Sequence, residues 1–214
     1  MKQHTAAAIV AAAILVFAAA APAATIHGTL VNGTTGERID GTVIVVNPAG
    51  GMTEETEVQA VDGEFTADGL DASAGLYLLR CDHAGVMYTQ MVRFEGEDTA
   101  HANITVYDRA QSFEGIHVLV PHLAVAAVDG QLQFEVLYEL HNHIEPAATV
   151  ADLEDQFLVY LPEDRTEIIR SFVSYEDIPI DRFPVPTDAP GVYRIDYPIR
   201  PGDTQVNIAY SVPY

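Results

Sequence analysis

Apolar and polar residues alternate along most of the chain after residue 24, and glycine, proline, asparagine or aspartate interrupts the alternation every ten residues or so. Alternation places the apolar side chains on one face of a strand, and no stretch shows the sustained spacing of an amphipathic helix. The pattern therefore predicts an all-β protein. The predicted strands are Thr25–Asn32, Thr42–Asn47, Glu64–Thr66, Leu76–Arg80, Val86–Phe94, Asn103–Tyr107, Ile116–Val128, Leu132–Asn142, Phe157–Leu161, Ile168–Tyr175, Val192–Ile199 and Thr204–Val212.

The predicted strands fall into two blocks. Between them lies the charge-rich segment Asp108–Glu114. Each block is long enough to bury a core of its own when two sheets pack face to face. We therefore predict two β-sandwich domains in tandem, at residues 25–108 and 116–214, joined by an exposed connector at residues 109–115.

The first 24 residues have the order of a secretory signal peptide. Lys2 and His4 precede an unbroken apolar run from Ala6 to Ala21, and the small residues Ala23 and Ala24 follow. The run is mostly alanine and has 16 residues, whereas a membrane-spanning helix needs about 20 strongly apolar ones. We expect cleavage after Ala23 or Ala24 and release to the periplasm or the exterior, with a membrane anchor as the alternative.

Charge narrows the range of partners. The chain has 31 acidic and 10 basic residues, a formal net charge of −21, and Lys2 is its only lysine. Removal of the signal would leave 9 arginines against 31 acids, a charge of −22. Nucleic acid would be repelled, and so would an anionic membrane surface. Self-repulsion also predicts a soluble monomer. We expect no membrane span after the signal is removed.

Two groups of residues in the first half form recognisable motifs. The first group is Ile26, Gly28, Leu30, Gly36, Ile39, Gly41, Val43 and Val45, and the second is Asp62–Phe65, Gly69–Leu70 and Gly75–Leu78. With these residues the first half resembles the carboxypeptidase regulatory-like domain, which has a transthyretin-like sandwich fold. Asp71 stands where that family usually has proline, and residues 72–74 lengthen the turn. The resemblance implies an accessory, binding or assembly module and not a peptidase.

The most suggestive polar pattern lies at the end of the strand Leu132–Asn142 and just beyond it. On an extended strand Glu139, His141, His143 and Glu145 would share one face, and imidazole with carboxylate suits a divalent metal such as Zn²⁺ or Cu²⁺. His117 and His122, one strand earlier, are candidate additional ligands. The alternative is the solvated face of an ordinary strand, which alternation explains without any metal. We expect that alternative.

Catalytic groups do not converge in the sequence. No serine stands in the glycine-flanked turn of a hydrolase. The single cysteine, Cys81, precedes Asp82 and His83, but adjacent strand residues point to opposite faces, so we expect a buried structural cysteine. We therefore predict no enzyme activity, no catalytic residues and no organic cofactor.

These observations predict an exported, non-catalytic module that binds or organises a protein or polysaccharide of the bacterial cell envelope. Carbohydrate binding is one alternative. It is weakened because the chain has no tryptophan to stack on a sugar ring. A periplasmic metal-binding protein that uses the strand histidines is the other.

Overall fold

The computed structural model describes residues 23–153, 156–176 and 178–214, which form sixteen strands and one short 3₁₀ helix. The predicted all-β class is therefore confirmed. Apart from Ala23 and Ala24, the predicted signal peptide lies outside the described residues. In the part of the chain that is described, no helix combines the length and apolar character that crossing a membrane requires.

The N-terminal half forms two four-stranded sheets that enclose one core. In the first sheet β1 pairs with β2 and β5 in antiparallel fashion and with β8 in parallel, and in the second the order is β4-β3-β6-β7. Ile26, Val45 and Leu79 are fully buried between the sheets. The strands are β1 Ala23–Asn32, β2 Glu37–Arg38, β3 Gly41–Asn47, β4 Thr53–Ala60, β5 Glu64–Asp71, β6 Leu76–His83, β7 Val86–Arg93 and β8 Thr99–Val106, with the 3₁₀ helix Ala72–Ala74 between β5 and β6.

Two glycines of the predicted motifs have physical roles here. Asp62 and Gly63 both have positive φ, at 52° and 72°, and close the tight two-residue turn that leads into β5. Gly28 lies directly opposite Phe65 in the β1–β5 ladder. A Cβ atom at Gly28 would lie 2.1 Å from Cζ of Phe65. The aromatic ring therefore fills the space that the missing side chain leaves.

The C-terminal half has a five-stranded antiparallel sheet, ordered β13-β12-β16-β10-β9, and a three-stranded sheet, ordered β11-β15-β14. Its core is a second cluster of buried residues that includes Leu140, Val173, Ile195 and Ile208. The strands are β9 Ile116–Val128, β10 Gln131–Asn142, β11 Leu158–Tyr160, β12 Glu167–Tyr175, β13 Ile178–Asp181, β14 Val185–Pro186, β15 Val192–Arg194 and β16 Gly202–Pro213.

Several predicted strands are wrong in extent: Glu64–Thr66 is only the start of β5, and β4 was not predicted. Val192–Ile199 was expected as a single strand, but β15 ends at Arg194. Ile195, Tyr197 and Ile199 are still almost completely buried. Alternating burial therefore continues through a segment whose backbone does not pair as a regular ladder, because burial needs only side-chain direction and not a partner strand.

The two halves contact each other through Arg200 and Tyr88. The Arg200 guanidinium lies 5.5 Å from the Tyr88 ring centre and donates a hydrogen bond of 2.7 Å to the Met87 carbonyl. The Tyr88 hydroxyl lies 2.8 Å from Oγ1 of Thr149 and donates to the Tyr107 carbonyl. Burial raises the pKa of the Tyr88 hydroxyl.

The start of the predicted connector is held by hydrogen bonds and is only partly exposed. Asp108 and Ala110 exchange backbone hydrogen bonds with Thr149. Arg109 donates to the Ala151 carbonyl at 2.5 Å. Exposure begins at Gln111. The placement of the domain boundaries at residues 108 and 116 stays a prediction.

Candidate functional site

The predicted histidine face lies at the open end of β10. This strand ends at Asn142, so His143 and Glu145 follow it in a loop, and strand alternation does not extend to Glu145. His117 lies directly opposite His141 in the β9–β10 ladder. We call His117, His141 and His143 the histidine cluster.

The three imidazoles of the histidine cluster lie at similar spacings. The ring centres of His141 and His143 are 6.1 Å apart, and those of His117 and His143 are 6.2 Å apart. Asp203 on β16 holds Nδ1 of His141 at 2.6 Å, and Glu139 lies 3.9 Å from Nε2 of the same ring. A carboxylate on one imidazole nitrogen orients the ring and leaves the other nitrogen for a ligand.

The predicted additional ligand His122 does not join this cluster. His122 pairs with Leu137, four residues along β10 from His141 and so about 14 Å away. Across the described residues, no three His, Cys, Asp or Glu side chains stand close enough to enclose a metal ion. Binding at the histidine cluster would therefore require side-chain rotation.

A second feature, which the sequence pattern did not single out, is the exposed strand β9. It forms one edge of the five-stranded sheet, and twelve of its thirteen residues are exposed. Six large apolar side chains on it are 40–60% exposed: Val118, Leu119, Val120, Leu123, Val125 and Val128. Between Ile116 and Val128 there is no Asp, Glu, Lys or Arg. We call the unpaired side of this strand the β9 edge.

The β9 edge continues an apolar sheet face. Val125 lies opposite Phe134 on β10, and Phe134 lies opposite Tyr210 on β16. Residues directly opposite one another point to the same face. The Phe134 and Tyr210 rings stack with centres 5.2 Å apart, and both are partly exposed. The apolar layer therefore runs without a polar break from the sheet interior to the β9 edge.

Two other edge strands of the described chain have protective features that residues His122–Val128 of β9 lack. At the far end of the same sheet, β13 is four residues long and includes Pro179 and Asp181. In the N-terminal half, the edge strand β4 carries Glu54, Glu55 and Glu57. Shortness, proline and charge are the usual means of preventing an edge from pairing with another chain.

In β9 only Pro121 interrupts the edge. Leu119 pairs with Glu139 and His122 pairs with Leu137, so two residues of β9 stand opposite one residue of β10. This is a β-bulge, at which the ladder is locally disrupted. The uninterrupted part of the β9 edge is therefore His122–Val128, which contains neither proline, glycine nor charge.

A groove of about 450 Å³ lies beside β12 and offers one place for a sugar ring. Phe183 is 57% exposed there. The Arg165 guanidinium lies 4.5 Å over the Tyr193 ring and covers that aromatic face. Carbohydrate binding stays a prediction, with Phe183 as its candidate platform. The groove is lined by Glu163, Arg165, Thr166, Glu167, Ile168, Phe183 and Tyr193.

Cys81 is buried, as expected. Its thiol donates weakly to the Asp82 carbonyl, and burial raises its pKa to about 11. The neighbouring His83 contacts Asp108 at 2.9 Å. A thiol with so high a pKa is not ionised at neutral pH and is a poor nucleophile.

No protein-family model matches the chain, and no curated protein matches it. Among solved structures, the major pilin SpaA of Corynebacterium diphtheriae is similar at a TM-score of 0.31 and 11% identity, over 89% of this chain and 58% of that one. The major pilin BcpA of Bacillus cereus is similar at a TM-score of 0.31 and 11% identity, over 89% of this chain and 59% of that one.

A Bacteroides uniformis protein described as carbohydrate-binding gives a TM-score of 0.24 and 12% identity, over 86% of this chain and 78% of that one. The chain thus spans less than two thirds of both pilins. Similarities of this size establish neither the sandwich type nor the function of this chain.

Proposed function

We propose that this protein is an exported, non-catalytic assembly module of the bacterial cell envelope. The observation that carries the proposal is the β9 edge: thirteen residues of strand, uncharged and largely apolar, with one row of backbone groups that no other described strand pairs. Such an edge adds a further strand when a partner supplies one, since backbone hydrogen bonds and alternate side chains both find counterparts.

The rest of the surface supports the same function. With 31 acidic residues in the chain, most of the surface repels other acidic molecules, while β9 presents a segment with no acidic residue. Contact with another chain is therefore least opposed at this edge. The resemblance of the first half to an accessory β module agrees with such a role.

Photo-crosslinking in the exporting cell tests the proposal. A benzoylphenylalanine replaces Leu123 in β9, and in the control it replaces Ile180 in β13, which is also an exposed edge residue. We expect adducts to other polypeptides from position 123 and few from position 180. Equal or absent labelling at the two positions would contradict an assembly role for the β9 edge.

A divalent metal site is the second candidate function, and the specific observation for it is the histidine cluster. His117 from β9 joins His141 and His143, and Asp203 orients His141. Three imidazoles with a carboxylate behind one of them suit Zn²⁺ or Cu²⁺. Rotation of the rings toward a common point would be needed.

Titration calorimetry with Zn²⁺ and Cu²⁺ separates the metal site from a merely polar strand end. A matched control exists because His27 and His101 also stack, with centres 5.9 Å apart. A single site that is lost in His141→Ala/His143→Ala but kept in His27→Ala/His101→Ala would support it. Binding should weaken between about pH 7.5 and pH 5.5, because a protonated imidazole does not bind metal. Weak binding that both double variants share would contradict it.

A further inference from the structure

We infer that the occupant of the β9 edge is a second copy of this chain, paired through His122–Val128 about a two-fold axis at Val125. The inference rests on the proposed function, because it names the partner for the same edge. It revises the monomer that the net charge alone predicts.

Register follows from the bulge and from the faces of the sheet. A two-fold axis at Val125 pairs His122 with Val128 of the second copy, and it leaves Pro121 outside the ladder. An axis at Ala124 instead would place Pro121 opposite Ala127 of the second copy, and proline has no N–H to donate to the ladder. An axis between two residues would put the apolar faces of the two copies on opposite sides of the joined sheet.

Side-chain sizes agree with this register. Leu123 of each copy stands opposite Ala127 of the other, and on the opposite face Ala124 stands opposite Ala126. No pair that flanks the axis therefore brings two large side chains together. The apolar face then becomes continuous across both copies, from the Phe134 and Tyr210 stack of one to that of the other.

Charge selects a second copy over a basic partner. A basic protein would be drawn to the acidic surface elsewhere, whereas His122–Val128 has no charged residue to attract it. Two copies can pair here because their acidic residues stay outside the contact. A paired segment of seven residues is about 24 Å long. The interface is at the small end of specific interfaces, so we expect a dissociation constant on the order of 10 µM.

Sedimentation equilibrium of the signal-free chain, residues 24–214, tests the self-association. We expect a monomer–dimer equilibrium that tightens as salt rises, because screening reduces the repulsion between two acidic copies. Val125→Lys should raise the dissociation constant at least tenfold. Ile180→Lys, the same substitution on the opposite edge of the sheet, should leave it within a factor of two.

Disulfide trapping tests the register. Val125→Cys places two thiols opposite each other across the axis, whereas Leu123→Cys places each thiol opposite an alanine. Cys81 is buried and gives no background. We expect mild oxidation to give covalent dimers for Val125→Cys in clear excess over Leu123→Cys. Equal yields from the two variants would overturn the register.

Failure of the inference is distinguishable from failure of the proposed function. A wild-type chain that stays monomeric up to about 500 µM, far above the expected dissociation constant, would overturn self-association. The assembly role would still stand if position 123 alone crosslinks to other envelope proteins in cells. Crosslinking from neither position would remove both.

Discussion

Asp108 lies where the two halves of the chain meet, and two side chains of the N-terminal half bond its carboxylate. His83 and the Asn32 amide both bond its Oδ1, at 2.9 and 2.8 Å, and these bonds lower the pKa of the Asp108 carboxyl. Its backbone N–H also donates to Thr34, which in turn donates to the Ala147 carbonyl. The carboxylate therefore stabilises the N-terminal half most while it is charged, whereas the link to Ala147 runs through the backbone N–H of Asp108 and Thr34.

The sign of the pH effect follows from the lowered pKa. A carboxyl with a lower pKa in the folded state contributes stability above its unfolded value, here 3.8, and loses it as the pH falls through the folded value. We expect Asp108→Asn to lose less than about 1 kcal/mol near pH 6, because the group is partly exposed. The difference from wild type should shrink below about pH 3.8 in urea titrations. Glu54→Gln, at an exposed edge, is the control.

Ala24 decides between the two predicted signal-cleavage positions. It is fully buried in the core and pairs with Leu70 in the β1–β5 ladder. Cleavage after Ala24 would remove this side chain from the core, whereas cleavage after Ala23 retains it. We expect N-terminal sequencing of the exported protein to begin at Ala24. A sequence that begins at Thr25 would show that the strand tolerates the loss.

At the residue scale, the sequence predicted some site neighbours and missed others for a clear reason. His117 was named as a candidate ligand, and the register of β9 against β10 places it beside His141. Glu145 was expected on the same face, but alternation ends with the strand at Asn142. Asp203 was missed because it is 62 residues from His141, and only the pairing of β10 with β16 brings them together.

At the scale of a single element, the packing of β1 against Phe65 requires a glycine at position 28. The Phe65 ring occupies the space above Gly28, and a Cβ there would lie within 2.1–2.7 Å of three ring atoms. Gly28→Ala should therefore lower the free energy of unfolding by about 1–3 kcal/mol, since the ring must move within a packed core.

Urea denaturation measures this cost, and Gly50→Ala supplies the control. A Cβ at Gly50 would meet its nearest atoms at 3.5 Å, an ordinary contact, so this variant should keep the wild-type midpoint. In a chain that carries Phe65→Leu, Gly28→Ala should cost less stability than it does in the wild type, because the smaller side chain leaves room for the new Cβ. Equal midpoints for Gly28→Ala and Gly50→Ala would show that the ring relocates without cost.

The elements themselves were predicted better than their surroundings. The bounds of Ile116–Val128 were predicted correctly as a strand, because a run of β-branched and apolar residues between turn residues is a local property. Its position at the sheet edge was not predicted, since that depends on which strands pair. In β15 the error was the reverse: alternating burial continued to Ile199, but the regular ladder ended at Arg194 and gave way to isolated backbone hydrogen bonds.

For the whole molecule, the balance of charge and contact surface decides behaviour in solution. Removal of the predicted signal would leave nine arginines against 31 acids, and several arginines are already engaged: Arg38 pairs with Glu64, Arg109 with Asp152, and Arg170 with Glu135. The remaining acids have few nearby cations. Repulsion among them therefore opposes the compact state at low ionic strength.

Salt should relieve this repulsion in a way that separates screening from ion binding. The Debye length falls from about 30 Å at 0.01 M to about 10 Å at 0.1 M, so repulsion between exposed acids farther apart than about 10 Å is largely screened at the higher concentration. We expect the melting temperature to rise over that range, with Ca²⁺ or Mg²⁺ acting more strongly than Na⁺ at equal ionic strength, because carboxylate pairs bind divalent cations. The scan should be run at about 1 µM protein, below the expected dimer dissociation constant, so that association does not contribute.

A flat response to every salt would mean that the charges are spaced too evenly to destabilise the fold. A rise with Na⁺ that Ca²⁺ does not exceed would leave screening as the whole effect and remove any role for bound divalent ions in the stability of this acidic surface.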